Sequence, residues 1–166
     1  METLISPSLL SANFIDLRSD IDMINRSEAD WLHLDIMDGT LVPNISFGFP
    51  VVEAISKVAT CPMDAHLMVV NPQKWFEKLL SLGVRMVSFH LEASGRKTAA
   101  NIDLAHSLGM KVGIAINPDV PVKRLFKYIG KADFFLIMSV FAGFGGQKFI
   151  YESLDRVSAL KAELQK

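Results

Sequence analysis

The sequence predicts an α/β fold on a parallel sheet, and three observations carry that expectation. Apolar spacing alternates between strand-like and helix-like along the 166 residues, giving about six βα units of about 25 to 30 residues each. Helix starts and stops repeat one grammar, with Asn-Pro entries at Asn71 and Asn117 and glycine exits at Gly83, Gly109 and Gly130. The strand-like runs also segregate their side chains, aliphatic on one face and His, Asp or Ser on the other.

The elements follow in order. Residues 4–10 read as a first strand, and 14–27, with Phe14, Leu17, Ile21 and Ile24 at helical spacing, as the helix after it. Residues 31–37 form a second strand, apolar enough for a sheet covered on both faces. A helix over 50–59 opens on Pro50, and 62–69 is strand three. The helix over 71–83 takes Asn71 as N-cap and Pro72 at its first position. Residues 85–90, 95–109, 111–116 and 117–130 continue the alternation as strand, helix, strand and helix. Strand six spans 132–140, a glycine-rich loop 141–147, and a last helix 149–166.

An open doubly wound sheet and an incomplete (β/α)8 barrel both fit six units, and the inward face decides for the barrel. His33, Asp35 and Met37 share one face of strand two, while Leu32, Leu34 and Ile36 share the other. Strand three repeats this with Asp64, His66 and Met68 against Met63, Ala65 and Leu67. Ser6, Ser8 and Leu10 on strand one, Ser88 and His90 on strand four, and Met138 on strand six complete a polar mouth. The expectation is one barrel domain over residues 1–166, incomplete at its C-terminal end.

Composition narrows the partners. With 17 Lys and Arg against 18 Asp and Glu the net charge is −1, and no basic stripe suits a nucleic acid. The apolar runs fall well short of the roughly 18 residues of a membrane span. The single cysteine, Cys61, and an N-terminus without an export leader predict a cytoplasmic protein.

Side chains at i and i+2 of a strand point the same way, so His33 and Asp35 can hold one small ion between them. His66 from the next strand adds a nitrogen, an N, O, N set that suits one divalent zinc, iron, manganese or cobalt ion. Any one of these residues alone reads more simply as a satisfied core polar group. Three converging at one end of adjacent strands do not, because a buried unpaired carboxylate is costly. Gly143, Phe144, Gly145, Gly146 and Gln147 lie between a strand and a helix, where backbone N–H groups can approach a phosphate and the helix N-terminus adds partial positive charge. Met37, Met68 and Met138 are core filler or a pliable cover over a sugar. Cys61, His90 and His106 read as structural.

The segments SPSLLSANF, HLDIMDG, VPNISFG, DAHLMV and MSVFAGFGGQKF, collinear from Ile5 onward, resemble the ribulose-phosphate 3-epimerase family. The resemblance implies a TIM barrel that interconverts D-ribulose 5-phosphate and D-xylulose 5-phosphate in the pentose phosphate pathway. It implies that His33, Asp35 and His66 are three ligands of a divalent metal and that Asp35 is one of two acid/base aspartates. It further implies that Ser8, His66, Met37, Met68, Met138 and Gly143 to Gly146, with Phe144, contact the phosphorylated ketose, and that the protein is a homo-oligomer. Two departures stand out: Phe141 and Ala142 replace an Asn-Pro or Glu-Pro pair, and the chain stops before the strand that carries the family's second aspartate. A hexulose-phosphate epimerase acting on allulose 6-phosphate shares the motifs, and a non-catalytic phosphosugar- or metal-binding fragment is the reading from another class. The chemistry suits the residues independently. C3 inversion in a 2-ketose takes a proton from one face and returns one to the other through an enediolate, with a cation as Lewis acid.

Overall fold

The computed structural model describes residues 3–166. Among them five parallel strands form one sheet: β1 (Leu32–Met37), β2 (Met63–Met68), β3 (Val84–His90), β4 (Lys111–Ile116) and β5 (Phe134–Ile137). Every strand pairs with the next one in the chain, in the order β1-β2-β3-β4-β5. A doubly wound sheet reverses its order at a switch point, so this uninterrupted order is that of a barrel wall. The helices are α1 (Leu17–Asn25), α2 (Phe49–Ser56), α3 (Phe76–Ser81), α4 (Leu91–Ser94), α5 (Thr98–Ser107) and α6 (Glu152–Leu164).

The core lies where the aliphatic faces predict it. Leu32 and Leu34 of β1, Ala65 and Leu67 of β2, Val87 and Phe89 of β3, and Val112 and Ile114 of β4 are all fully buried. Ile21, Val52, Ile55, Phe76, Leu79 and Ile102 from the helices belong to the same cluster. Each buried side chain of this size contributes about 1.5 to 3 kcal/mol. Helix α1 begins at Leu17 because the Asp16 carboxylate accepts from the Ser19 N–H and caps it.

Four expectations are corrected. The first strand is reduced to a single parallel bridge between Ser8 and His33. Pro7 accepts from the His33 N–H but has no N–H of its own to make the rung below, and Leu9–Ser11 coil into a 3-10 turn above. Asn71 does not cap a helix: its φ of 59° is left-handed, its side chain makes no cap bond, and a 3-10 turn over Pro72–Trp75 precedes the short α3. The 117–130 segment yields a 3-10 helix over Val122–Tyr128, since Pro118 and Pro121 each bias the residue before them away from α conformation. Strand six ends at Ile137, three residues early, and the last helix starts at Glu152.

One side chain holds this late region to the sheet. The Arg156 guanidinium donates to the carbonyls of Asn117 (2.8 Å), Val120 (3.0 Å) and Met138 (3.3 Å), tying α6 to the carboxyl ends of β4 and β5. Arg156→Ala is expected to lower stability by about 1 to 3 kcal/mol, because three carbonyls lose a charged donor. A urea midpoint equal to that of the parent would contradict this. No helix among the described residues is long and apolar enough to cross a membrane.

Candidate metal centre

The register of β1 on β2 builds the centre. The two strands carry His-x-Asp and Asp-x-His in opposite order, so His33 lies opposite Asp64, Asp35 opposite His66, and Met37 opposite Met68. Each imidazole therefore has a carboxylate as its cross-strand neighbour.

His33 Nδ1 is 2.6 Å from Asp64 Oδ2, and the Ser6 hydroxyl donates to the other oxygen of Asp64 at 2.7 Å. The second ring nitrogen, His33 Nε2, is 3.4 Å from Asp35 Oδ1. His66 Nδ1 approaches the same oxygen at 3.3 Å from the other side. The remaining oxygen, Asp35 Oδ2, accepts from Ser8 Oγ at 2.5 Å. One ligand atom from each of His33, Asp35 and His66 lies within 4.8 Å of the others, a grouping that could hold a metal ion. Metal-bound histidines commonly donate their other ring N–H to a carboxylate, and Asp64 accepts from His33 Nδ1 in this way, which directs Nε2 toward the ion. The N, O, N donors fit a divalent transition metal, with room left for water or substrate oxygens.

Charge is shared unevenly among these groups. Burial lowers the His33 pKa, but Asp35 and Asp64 outweigh it and push the imidazole up to about 10. Burial raises the pKa of Asp35, yet the protonated His33 ring beside it outweighs this and holds the carboxyl well below the usual range. His66 is pushed down to about 4 by complete burial, only partly opposed by Asp35. His33 keeps 19% of its side chain open against 2% for His66, so ligands reach the centre from the His33 side.

A cavity of about 240 Å³ opens over these groups, lined by Ser8, His33, Asp35, Met37, His66, Met68, Met138, Gly143, Phe144 and Gly145 among others. The structure thus brings together every sequence-expected site residue except Gly146, which is exposed and outside the lining. Met37, Met68 and Val42 form a small buried cluster at the mouth, backed by Leu10, Leu41 and Ala142. The glycine loop is preformed. Asn117 accepts from the Ala142 N–H, Asn44 donates to the Gly143 carbonyl, and Gln147 donates to the carbonyls of Phe141 and Phe144. Gly143 needs its φ of 119°, and a Cβ there would meet Val42 at 3.2 Å. One expectation fails here: α6 begins six residues after Gly146 with Glu152 and Asp155 in its first turn, so no helix N-terminus abuts the loop. The backbone N–H groups of Phe144, Gly145 and Gly146 make no hydrogen bond among the described residues and are the available anion donors.

Sequence reasoning set His90 aside as structural. It is fully buried, with Nε2 2.9 Å from His66 Nε2 and Nδ1 2.8 Å from Glu92 Oε1. Burial raises the Glu92 pKa, but His90 and the Asn117 N–H outweigh it and hold the carboxyl low. The sequence holds a hint, since HLE at the end of strand four repeats the His-x-acid spacing of HLD in strand two, but the spacing does not give His90 its partner on the neighbouring strand.

Among solved structures, the α subunit of tryptophan synthase from Campylobacter jejuni superposes with a TM-score of 0.62 at 14% identity, covering 98% of this chain and 73% of that one. That likeness concerns the fold alone. A ribulose-phosphate 3-epimerase of Mycobacterium tuberculosis is 41% identical over 158 residues, 95% of this chain and 68% of the relative. A cytoplasmic isoform from Oryza sativa subsp. japonica is 39% identical over 160 residues, 95% of this chain and 70% of its own length. A Synechocystis enzyme of the same name is also 39% identical, over 161 residues, 95% of this chain and 69% of the relative. The family model described as Ribulose-phosphate 3 epimerase family matches residues 4–166, nearly the whole chain, and with these relatives it establishes that the chain belongs to that family.

Proposed function

We propose that His33, Asp35 and His66 hold one divalent cation and that Asp35 moves the C3 proton of a phosphorylated 2-ketose bound above them. The function itself is that of the relatives, interconversion of D-ribulose 5-phosphate and D-xylulose 5-phosphate, a carbohydrate epimerisation. The observation that carries the site assignment is the approach of both imidazoles to one oxygen of Asp35 on the floor of the cavity.

When bound, the cation supplies Lewis-acid stabilisation of negative charge on neighbouring substrate oxygens. The chain's own groups do the rest. Asp35 offers a carboxylate held ionised by its neighbours, and Ser8, bonded to its second oxygen, fixes the plane of that carboxylate. Free N–H groups at Phe144 and Gly145 take the phosphate, which sets the distance between the anion and C3. Met37, Met68 and Met138 cover the reacting carbons and exclude water, so the electrostatic terms act at low dielectric. A metabolite-sized anionic ligand and a net charge of −1 favour neither nucleic acid nor a membrane as partner. A cytoplasmic location accords with the label of the rice relative, and a homo-oligomer is part of the same reading.

The test is solvent exchange. In deuterated buffer with Mn(II), D-ribulose 5-phosphate is expected to gain one deuterium at C3, and chelation of the ion to stop it. Exchange at undiminished rate in metal-stripped protein would overturn the assignment.

A further inference from the structure

The metal-facing nitrogen of His66 is Nδ1, yet nothing within His66 decides which ring nitrogen carries its proton. A chain of hydrogen bonds behind it does. The Asn117 N–H donates to Glu92 Oε1 at 3.1 Å, and the same oxygen is 2.8 Å from His90 Nδ1. A carboxylate only accepts, so His90 Nδ1 is the donor to it. A neutral imidazole has one donor and one acceptor, which leaves His90 Nε2 as an acceptor. That atom lies 2.9 Å from His66 Nε2, and both residues are shut off from water. Each imidazole faces a carboxylate through Nδ1, but His90 lies 2.8 Å from Glu92 and His66 3.3 Å from Asp35. With both rings neutral the shorter contact keeps its N–H, so His66 Nε2 donates to His90 and His66 Nδ1 keeps its lone pair. It sits 3.3 Å from Asp35 Oδ1, acceptor facing acceptor, an arrangement that a cation between them resolves.

We propose that Glu92 and His90 are positioning residues that fix the proton of His66 on Nε2 and so keep its Nδ1 lone pair turned toward the ion. This rests on the reading that His33, Asp35 and His66 hold that ion. It extends the centre to a third strand, since His90 closes β3 and Glu92 lies in α4. On the His33 side Asp64 accepts from Nδ1, so the ion has only the Nε2 proton to displace.

Two measurements on the whole chain test it. Long-range ¹H–¹⁵N spectra of the metal-free protein at neutral pH should show His66 protonated at Nε2 and His90 at Nδ1. A proton on His66 Nδ1, or on His90 Nε2, overturns the proposal whatever any variant does. Mn(II) titration should show Glu92→Leu binding about 10- to 100-fold more weakly than the parent, the range for loss of an outer-shell partner. Glu92→Gln, whose carboxamide oxygen still accepts from both N–H groups, should stay within a few-fold of the parent. Equal affinity in parent and Glu92→Leu defeats the positioning role alone. Failure of the parent to take up Mn(II) defeats the ion site, and the role with it.

Discussion

Asp35→Asn is expected to lower C3 proton exchange by about 10² to 10⁴-fold, the range for loss of a positioned acid/base group. Asparagine preserves the shape of the side chain and its bond with Ser8, so the sheet register of Asp35 with His66 should survive. What it removes is the group able to accept a proton. The same change takes a charge from the ion's surroundings, so the assay is run at saturating Mn(II), where occupancy no longer limits the rate. Circular dichroism of the variant should match the parent. Full exchange activity in a folded Asp35→Asn protein would remove Asp35 from the mechanism.

The second large effect is the pH dependence of metal uptake. His33 is held at about 10 in the metal-free protein, so near neutral pH a cation must displace its proton, whereas His66, at about 4, is already neutral. Affinity should therefore rise about tenfold per pH unit between roughly pH 6.5 and 9.5, with one proton released per ion. Calorimetry in buffers of different ionisation enthalpy counts that proton directly, and a count of zero near neutral pH would refute the assignment. The sign for stability follows from the same shift. A pKa raised from 6.5 to about 10 stabilises the metal-free fold fully below 6.5, and that contribution is lost as pH climbs through 10. Asp35 acts oppositely: its pKa is lowered, so its contribution is present above 3.8 and lost on acidification.

Strand periodicity carries well in this chain, and local rules carry less well. β1, β2, β3 and β4 lie within a residue of the runs that their alternating faces predict, because side-chain burial on both faces of the sheet dictates them. The misplaced boundaries cluster at prolines and at ends. Pro7 removes a ladder donor, Pro118 and Pro121 delay a helix, and the Asn71-Pro72 pair turns left-handed rather than capping. The inner faces told which residues look into the mouth, and His33, Asp35 and His66 do converge there. They could not tell the register of β1 on β2, which makes His33 the neighbour of Asp64 and Asp35 that of His66. Nor could they give His90 a partner, since a buried histidine at a strand end looks alike whether it fills space or accepts a hydrogen bond from a neighbouring ring. Only the 2.9 Å contact across to β2 separates the two.

The paired carboxylates and imidazoles are all drawn from β1, β2, β3 and the start of α4, while the opposite wall of the cavity is Leu136, Met138 and the segment from Val140 to Gly145. Under the proposed assignment, the groups that would hold the ion and the wall that would face the sugar come from separate stretches of this chain. On that assignment, substitutions between Val140 and Gly145 should alter which sugar fits while leaving the hydrogen bonds among His33, Asp35, Asp64 and His66 in place.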